Sequence, residues 1–243
     1  MPRTDVIILA GGLGTRLSPT IGEKPKAMAQ IAGRPFLEYQ LSYLRQFDLV
    51  NVVLSVGHLK EQIINHFGNF WHGSTIVYAI EKEPLGTGGA VKEALRYCTS
   101  EVVLIMNGDT LFDINLNKMY DLYIKRGDFE MIVALRRVKD AGRYGLVERT
   151  WDHRIREFRE KDPDTKSGLV NAGIYLMKRS IVERKELPEK FSLERDFFAL
   201  QCKKHKFLGV AFRNYFIDIG IPEDFDRGQK EIPLIKRFNE FYK

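Results

Sequence analysis

The chain has 243 residues, of which 44% are hydrophobic and 12% aromatic. This size suits one well-packed α/β domain and is too small for two full-sized domains joined by a linker. The first apolar run, residues 6–10, is too short to cross a bilayer, and its flanks, Asp5 and two glycines, are unlike those of a secretory signal. Cys98 and Cys202 are too few for a disulfide framework, so we expect a reduced, cytoplasmic protein with no membrane partner.

The formal net charge of +6 favours an anionic partner. Basic residues are spread along the chain and mixed with acids, and the densest stretch, residues 136–139, ends at Asp140. This pattern favours phosphorylated small molecules and argues against nucleic acid, which is typically bound by clustered lysines and arginines. A basic surface with no binding role is the alternative that charge alone leaves open.

Short apolar runs alternate with amphipathic stretches in the first half of the chain. The runs are rich in Val, Ile and Leu, as buried strands are, and lie at residues 5–10, 50–56, 76–80 and 102–106. Helical spacing follows the first three, at residues 35–47, 59–67 and 88–97. This alternation predicts βαβ units, and therefore a Rossmann-like, mostly parallel sheet with helices on both faces.

The second half of the chain has the pattern of strands with little helix between them, at residues 131–135, 145–149, 155–159 and 169–177. We therefore predict an antiparallel extension that covers one end of the sheet. A helix over 192–203 and strands over 207–212 and 215–217 follow.

The end of the chain carries an apolar stripe at helical spacing, which predicts a C-terminal helix over 229–243. The members of this stripe are Leu234, Ile235, Phe238, Phe241 and Tyr242. Such a stripe either packs against its own domain or forms a homodimer, and the sequence leaves both open.

The segment after the first predicted strand combines glycines with one arginine. Gly11, Gly12 and Gly14 precede Arg16, at the carboxyl end of a strand, where open parallel sheets bind their ligands. Glycines let the backbone approach a phosphate closely, and a guanidinium adds a permanent positive charge. The segment matches neither the dinucleotide fingerprint nor the P-loop, so a tight turn with an incidental arginine is the competing interpretation.

Seven motifs, of which this segment is the first, occur in order along almost the whole chain. They are Gly11 to Leu17 with Pro25-Lys26, Glu81 with Pro84 to Ala90, Asn107-Gly108-Asp109, Tyr144-Gly145, Glu160-Lys161, Asn171 to Tyr175, and Asp218-Ile219-Gly220 with Pro222-Glu223-Asp224. With these motifs the sequence resembles the sugar-nucleotide pyrophosphorylases, which are nucleotidyltransferases of nucleotide-sugar synthesis.

The resemblance implies a single nucleotidyltransferase domain of GT-A-like fold over residues 1–243. Its nucleotide-binding half would cover about residues 1–130 and its sugar-phosphate-binding half about residues 131–228. It also implies the reaction, in which a nucleoside triphosphate and a sugar 1-phosphate give a nucleotide sugar and pyrophosphate with the help of Mg²⁺. The reaction is a displacement at the α-phosphorus, which depends on positioning and charge neutralisation more than on a general base.

The resemblance also assigns site residues. Arg16, Lys26 and Asp109 would be catalytic, with Arg16 on the β- and γ-phosphates and Lys26 between the α-phosphate and the sugar phosphate. Asp109 and Asp218 would hold the metal, because Mg²⁺ prefers oxygen ligands. The nucleotide-binding set is Leu9, Gly11, Gly12, Gly14, Thr15, Arg16, Lys26, Glu81, Gly86, Thr87, Gly88 and Asn107. The sugar-phosphate-binding set is Tyr144, Gly145, Glu160, Lys161, Asn171 and Gly173.

Within the family, residues 26–38 look closest to the D-glycero-D-manno-heptose 1-phosphate guanylyltransferases, which make GDP-heptose for bacterial surface polysaccharide. Glu81 favours GTP as the nucleotide, because a carboxylate can accept hydrogen bonds from both N1–H and N2–H of guanine. Mannose 1-phosphate guanylyltransferases and other hexose 1-phosphate nucleotidyltransferases remain open.

Two alternatives come from other classes of protein. A metal-dependent glycosyltransferase shares the nucleotide-binding sheet but is expected to carry Asp-x-Asp, where this chain has Asp109-Thr110-Leu111. A catalytically silent, nucleotide-sugar-binding regulatory subunit is expected to lack Arg16, Lys26 or Asp109, and all three are present. We therefore expect an enzyme, a sugar-1-phosphate nucleotidyltransferase.

Overall fold

The computed structural model describes residues 3–12, 14–159, 162–183 and 187–239. Its strands, numbered in chain order, are β1 (Thr4–Leu9), β2 (Gln30–Ile31), β3 (Arg34–Pro35), β4 (Leu49–Val56), β5 (Phe70–Trp71), β6 (Ser74–Ile80), β7 (Val102–Asn107), β8 (Thr110–Phe112), β9 (Met131–Val138), β10 (Leu146–Arg149), β11 (Ile155–Arg159), β12 (Gly168–Lys178), β13 (Phe207–Phe212) and β14 (Phe216–Asp218).

The helices are α1 (Ser18–Ile21), α2 (Phe36–Leu44), α3 (Lys60–Phe67), α4 (Gly86–Ala94), α5 (Leu116–Arg126), α6 (Ser180–Glu183), α7 (Ala199–Gln201) and α8 (Pro222–Glu231). A π-helical segment, Leu193–Phe198, runs into α7, and 3₁₀ turns lie at Lys26–Met28, Leu95–Tyr97, Ile232–Leu234 and Lys236–Phe238. Within the described ranges, none of these helices has both the length and the apolar content to cross a membrane.

Ten of the described strands form one sheet. Eight of them follow the order β11-β10-β12-β7-β1-β4-β6-β5, while β9 pairs with β12 and β13 pairs with β9. The centre is parallel: β1 lies between β7 and β4, and β6 pairs with β4. Beyond β7 the sheet turns antiparallel, through β12 and then β10 and β11. The predicted mostly parallel sheet with an antiparallel extension is confirmed, and the extension continues the same sheet.

The two faces of the sheet pack into two separate cores. Successive side chains of a strand point to opposite faces, and along β1 Ile8 lies in one core and Ile7 in the other. Phe36 of α2 joins the first core, whereas Val91 of α4 and Phe197 of the π-helical segment join the second. Helices therefore cover both faces, as predicted.

Helix α5 was not predicted. Its amino-terminal cap is clear, because the Asn115 side chain accepts a hydrogen bond from the Lys118 N–H at 3.1 Å. Only Leu116, Met119 and Tyr123 are buried along it. Of its other apolar residues, Tyr120 and Leu122 are half-buried against the core and Ile124 is 57% exposed. Apolar residues therefore spread beyond one stripe of the helix, which weakens the helical period in the sequence.

The end of the chain differs from the predicted helix over 229–243. Helix α8 ends at Glu231 and two 3₁₀ turns follow, because Pro233 has no N–H with which to continue an α-helix. Ile232 and Phe238 are fully buried in their own domain, whereas Leu234 is 83% exposed. The remaining stripe residues, Phe241 and Tyr242, lie outside the described residues.

The strand ends set the position of the site. Leu9 at the end of β1 pairs with Asn107 at the end of β7, so the loops that follow these strands start side by side. Strand β8 then pairs with β14, with Asp218 opposite Thr110. This pairing brings the two carboxylates predicted to bind metal, which are distant in sequence, to the same edge of the sheet.

Candidate active site

Two cavities meet at the carboxyl ends of the parallel strands. The first has a volume of about 270 Å³ and the second of about 490 Å³. Thr87, Asn107 and Asp109 line both of them. A molecule in the first cavity could therefore react with a molecule in the second across Asp109.

The first cavity gathers most of the predicted nucleotide-binding residues. They are Leu9, Gly11, Gly12, Gly14, Lys26, Glu81, Gly86, Thr87 and Asn107. Three members of the predicted set lie elsewhere, and one of them, Arg16, lines the second cavity. Thr15 is exposed and is not among the residues that line either cavity. Gly88 is buried, and a Cβ on it would stand 2.2 Å from the Phe191 ring, so its lack of a side chain serves packing.

Glu81 is fixed by two hydrogen bonds at one end of the first cavity. The Ser55 hydroxyl donates to Oε1 at 3.0 Å, and the Leu85 N–H donates to Oε2 at 3.0 Å. Gly11 allows this position, because a Cβ on residue 11 would lie 2.7 Å from Glu81 Oε1. A carboxylate has about four acceptor positions, so each oxygen can still accept a hydrogen bond from a ligand.

Lys26 joins the loop after β1 to the loop after β7. It begins a 3₁₀ turn that follows Pro25, and its Nζ lies 2.6 Å from Asp109 Oδ2. The exposed fractions of the two side chains are 14% and 29%, so the ion pair is only weakly screened by solvent. The pair places a positive charge at the boundary of the two cavities.

Asp218 completes a group of two carboxylates and one ammonium. The Gly220 N–H donates to Asp218 Oδ1 at 2.7 Å. Burial, and then the charge of Asp109, raise the pKa of Asp218 to about 6, while Lys26 acts in the opposite direction. Two carboxylates that repel each other in a partly dry site favour the binding of a cation between them.

The second cavity gathers predicted sugar-phosphate-binding residues from the antiparallel extension. Tyr144, Gly145, Asn171 and Gly173 line it, together with Asp218 of β14, which was predicted as a metal ligand. Arg16 also lines this cavity, although it was predicted among the nucleotide-binding residues, and its side chain is exposed. Glu160 and Lys161, the remaining predicted pair, lie outside the described residues.

Gly173 lies at a position in the wall of the second cavity where a side chain would not fit. Its φ is +69°, and a Cβ there would lie 2.7 Å from Asn107 Nδ2. The Gly173 N–H in turn donates a hydrogen bond to the Asn171 side-chain oxygen at 3.0 Å. Asn107 Oδ1 is buried and accepts no hydrogen bond from the part of the chain that the structure describes.

Residues 5–233 match the model of a protein family described as nucleotidyl transferase. The chain belongs to the nucleotidyl transferase family. It is 45% identical over 228 residues to D-glycero-alpha-D-manno-heptose 1-phosphate guanylyltransferase of Aneurinibacillus thermoaerophilus, over 94% of this chain and 98% of that one. The enzyme of the same name from Campylobacter jejuni is 43% identical over 219 residues, covering 90% and 96% of the two chains.

A solved structure agrees with this assignment. HddC from Yersinia pseudotuberculosis, complexed with GMP-PN, superposes with a TM-score of 0.81 at 33% sequence identity, over 94% of this chain and 99% of that one. The predicted family and fold class are thereby confirmed.

Nucleotidyl transferases of this family generally use a divalent metal. Among the described residues, no group of three or more His, Cys, Asp or Glu side chains could hold one. Asp109 and Asp218, the predicted metal ligands, are two neighbouring carboxylates of the described chain, and a divalent metal at a nucleotide site commonly takes its other ligands from phosphates and water.

The second cavity of this nucleotidyl transferase also contains residues that the motifs did not reveal. They include Phe158, Arg159, Ser192, Glu194, Arg195 and Phe216. Glu194 links the two cavities, because Thr87 Oγ1 donates to it at 2.9 Å and the Tyr175 hydroxyl donates to it at 3.1 Å. The only local signal was the predicted helix over 192–203, whose amino-terminal turn faces the site.

Proposed function

We propose that the chain transfers GMP from GTP to D-glycero-alpha-D-manno-heptose 1-phosphate, giving GDP-heptose and pyrophosphate, with Mg²⁺ as the metal. The observation that carries this proposal is the meeting of the two cavities at Asp109, whose Oδ2 lies 2.6 Å from Lys26 Nζ. Reacting groups bound on either side of this pair would be held close together, as a transfer between two phosphates requires. The names of the relatives at 45% and 43% identity support the choice of base and sugar.

The two halves of the domain divide the substrates between them. All residues that line the first cavity come from the first 109 residues, whereas Tyr144, Asn171 and Asp218 of the second cavity come from the later part. We assign GTP to residues of about 1–130 and the sugar phosphate to about 131–228, with Glu81 accepting from the guanine edge. Glu160 and Lys161 stay predicted sugar-phosphate ligands.

The chemistry needs charge neutralisation and alignment. A phosphate monoester has its second pKa near 6, so the attacking oxygen is already largely ionised at neutral pH. Lys26 neutralises oxygens of both reactants, and Arg16, on the exposed loop after β1, binds the phosphates that leave as pyrophosphate. A bound Mg²⁺ would neutralise phosphate charge, and Asp109 and Asp218 are the residues that would hold it.

We place this reaction in the cytoplasm. The nucleoside triphosphate substrate is a cytoplasmic metabolite, and Cys98 and Cys202 are both free thiols.

The test is pyrophosphate release by the purified chain with Mg²⁺, in which GTP, UTP, CTP, dTTP and ATP are each combined with a panel of sugar 1-phosphates. We expect release with GTP and the manno-configured heptose 1-phosphate. Release with GTP and mannose 1-phosphate would keep the reaction and correct the sugar. The absence of release with every pair, from folded protein, would favour a catalytically silent regulatory subunit.

Two variants tie this activity to the proposed residues. Lys26→Ala and Asp109→Ala should each lower turnover by at least about 10²-fold, because each removes a charge at the reacting phosphates. Lys24→Ala is the matched control, since Lys24 is exposed on the same loop, and it should keep wild-type turnover. Wild-type turnover in a folded Lys26 or Asp109 variant would contradict the mechanism.

A further inference from the structure

Helix α2 carries a buried amide that contacts the turn containing Asp109. Gln40 is fully buried in the middle of this helix. Its Nε2 donates to the backbone carbonyl oxygens of Asn107 and Thr110, both at 2.8 Å. These two residues flank the Gly108-Asp109 pair, so one side chain holds the turn on both sides of the carboxylate.

The other hydrogen bonds of the turn come from different elements. The Gly108 N–H donates to the Leu9 carbonyl at 3.0 Å, and the Ile219 N–H donates to the Asp109 carbonyl at 3.0 Å. The turn is thus fixed to β1, to the segment after β14, and through Gln40 to α2. Gln40 provides the contact from the helix.

The amide of Gln40 is costly for the core, which points to a specific role. Its Oε1 is buried and accepts no hydrogen bond from any residue that the structure describes. A buried polar atom without a partner is destabilising, and the neighbours of Gln40 on the helix, Tyr39 and Leu41, belong to the apolar core. Two carbonyl oxygens need a donor with two N–H groups on one nitrogen, and among uncharged side chains only an amide offers this.

We propose that Gln40 is a positioning residue, which holds the turn of Asp109 beside Asp218 and Lys26, where a divalent metal would bind. This inference rests on the proposed function, because it explains how the metal ligands of that site are kept in place. Partners that orient metal ligands from outside the coordination sphere commonly change metal affinity or activity by about 10- to 100-fold when they are replaced.

The decisive variant is Gln40→Met, which keeps the size of the side chain and removes both N–H groups. Its matched control is Tyr43→Phe, on the same helix. The fully buried Tyr43 hydroxyl donates to the Ile114 carbonyl at 2.6 Å, so this control also loses a buried hydrogen bond from α2 to a backbone carbonyl, but away from Asp109. Gln40→Leu, which is also uncharged and is smaller, serves if the Met variant does not fold.

The first measurement is the Mg²⁺ concentration that gives half-maximal pyrophosphate release. For Gln40→Met we expect an increase of about 10- to 100-fold, while the KM for the sugar 1-phosphate changes much less. Tyr43→Phe should need the same Mg²⁺ concentration as the wild type. An equal Mg²⁺ requirement in Gln40→Met and Tyr43→Phe would overturn the inference.

The second measurement does not depend on activity. Amide hydrogen exchange of the metal-free protein should become faster at residues 107–110 in Gln40→Met and stay unchanged there in Tyr43→Phe. If the wild type releases no pyrophosphate but this local difference is found, the proposed function fails and the role of Gln40 in holding the turn stands. If exchange at 107–110 is the same in both variants, the positioning role is wrong.

Discussion

At the scale of single residues, the site brings together carboxylates that repel each other. Asp109 follows β7 and Asp218 ends β14, and Lys26 alone does not balance them, since burial and Asp109 still raise the pKa of Asp218 to about 6. The metal site proposed between these two carboxylates thus conflicts with the stability of the metal-free protein, a conflict that is common at active sites.

We expect Asp218→Asn to stabilise the metal-free protein. The folded pKa of Asp218, about 6, lies above its ordinary value of 3.8, so between these values the folded state binds more protons than the unfolded state and stability falls as pH rises. Asparagine removes this loss, so the free energy of unfolding at pH 7 should rise by roughly 1–3 kcal/mol. Urea unfolding in EDTA at pH 7 and below pH 4 measures the effect.

The gain from Asp218→Asn should disappear below pH 4, where the wild-type carboxyl is protonated in both states. Asp226→Asn, an exposed aspartate on α8, is the control and should change stability little at either pH. A gain that is the same at both values of pH would show that the charge of Asp218 is not its cause.

At the scale of elements, an irregularity in β12 shapes the second cavity. Its pairing with β9 passes from Asn171 opposite Leu135 to Tyr175 opposite Val133, so β12 has extra residues in this interval. Such a bulge changes the direction of side chains and is often found beside active sites. Here it brings Asn171 and Gly173 to the cavity wall.

We predict that Gly173→Ala damages sugar-phosphate binding more than nucleotide binding. The new Cβ would lie 2.7 Å from Asn107 Nδ2 in a backbone conformation with φ of +69°, so either the strand or Asn107 must move. The KM for the sugar 1-phosphate should rise by about 10-fold or more, and stability should fall by about 1–3 kcal/mol. Steady-state kinetics with each substrate varied in turn separate the two effects.

The control for this prediction is Gly127→Ala, since Gly127 also has a positive φ, +57°, but ends α5 outside both cavities. It should lose stability and keep both KM values. If Gly173→Ala also leaves the sugar-phosphate KM unchanged, the bulge has no part in that pocket.

Sequence patterns predict an element well when its signal is local. The strands over 155–159 and 207–212 were predicted with the bounds that the structure shows, because alternating or continuous apolar residues mark buried strands. Family motifs likewise predict which residues gather at the first cavity. The apolar residues of α5 spread around much of the helix, which weakened its helical period, and Pro233 ended a helix that the tail pattern alone continued.

Contacts between distant elements are what the sequence could not reveal. The pairing of β8 with β14 involves two three-residue strands, too short for any periodicity. Gln40 and Glu194 lie within amphipathic segments, where nothing local distinguishes them from other polar residues. Their roles depend on partners far away in the chain, Thr110 and Thr87, which only the fold brings close.

At the scale of the whole molecule, stability and chemistry are placed at opposite ends of the sheet. The site lies at the carboxyl ends of β1 and β7, whereas Asp5 lies fully buried near the beginning of β1. Its carboxylate accepts hydrogen bonds from the Thr99 N–H at 2.7 Å, the Ser100 N–H at 2.8 Å and the Asn51 side chain at 3.1 Å. Asp5 therefore joins β1 to β4 and to the segment that leads into β7.

We expect Asp5→Asn to lower the free energy of unfolding at pH 7 by about 1–3 kcal/mol and to leave kcat and both KM values unchanged. Burial acts to raise the pKa of Asp5, but the hydrogen bonds from Ser100, Thr99 and Asn51 outweigh it and hold the pKa below the ordinary 3.8. The stabilisation is thus present above pH 3.8 and is lost as pH falls through the lower folded pKa. The difference in the free energy of unfolding between wild type and Asp5→Asn should narrow over that acidic range.

The control is Asp48→Asn, because Asp48 is an exposed aspartate paired with Arg3 at 3.4 Å. This substitution should lower the free energy of unfolding by less than about 0.5 kcal/mol. A fall in kcat for folded Asp5→Asn would mean that this end of the sheet is coupled to the site, and that stability and chemistry are not separated in this fold.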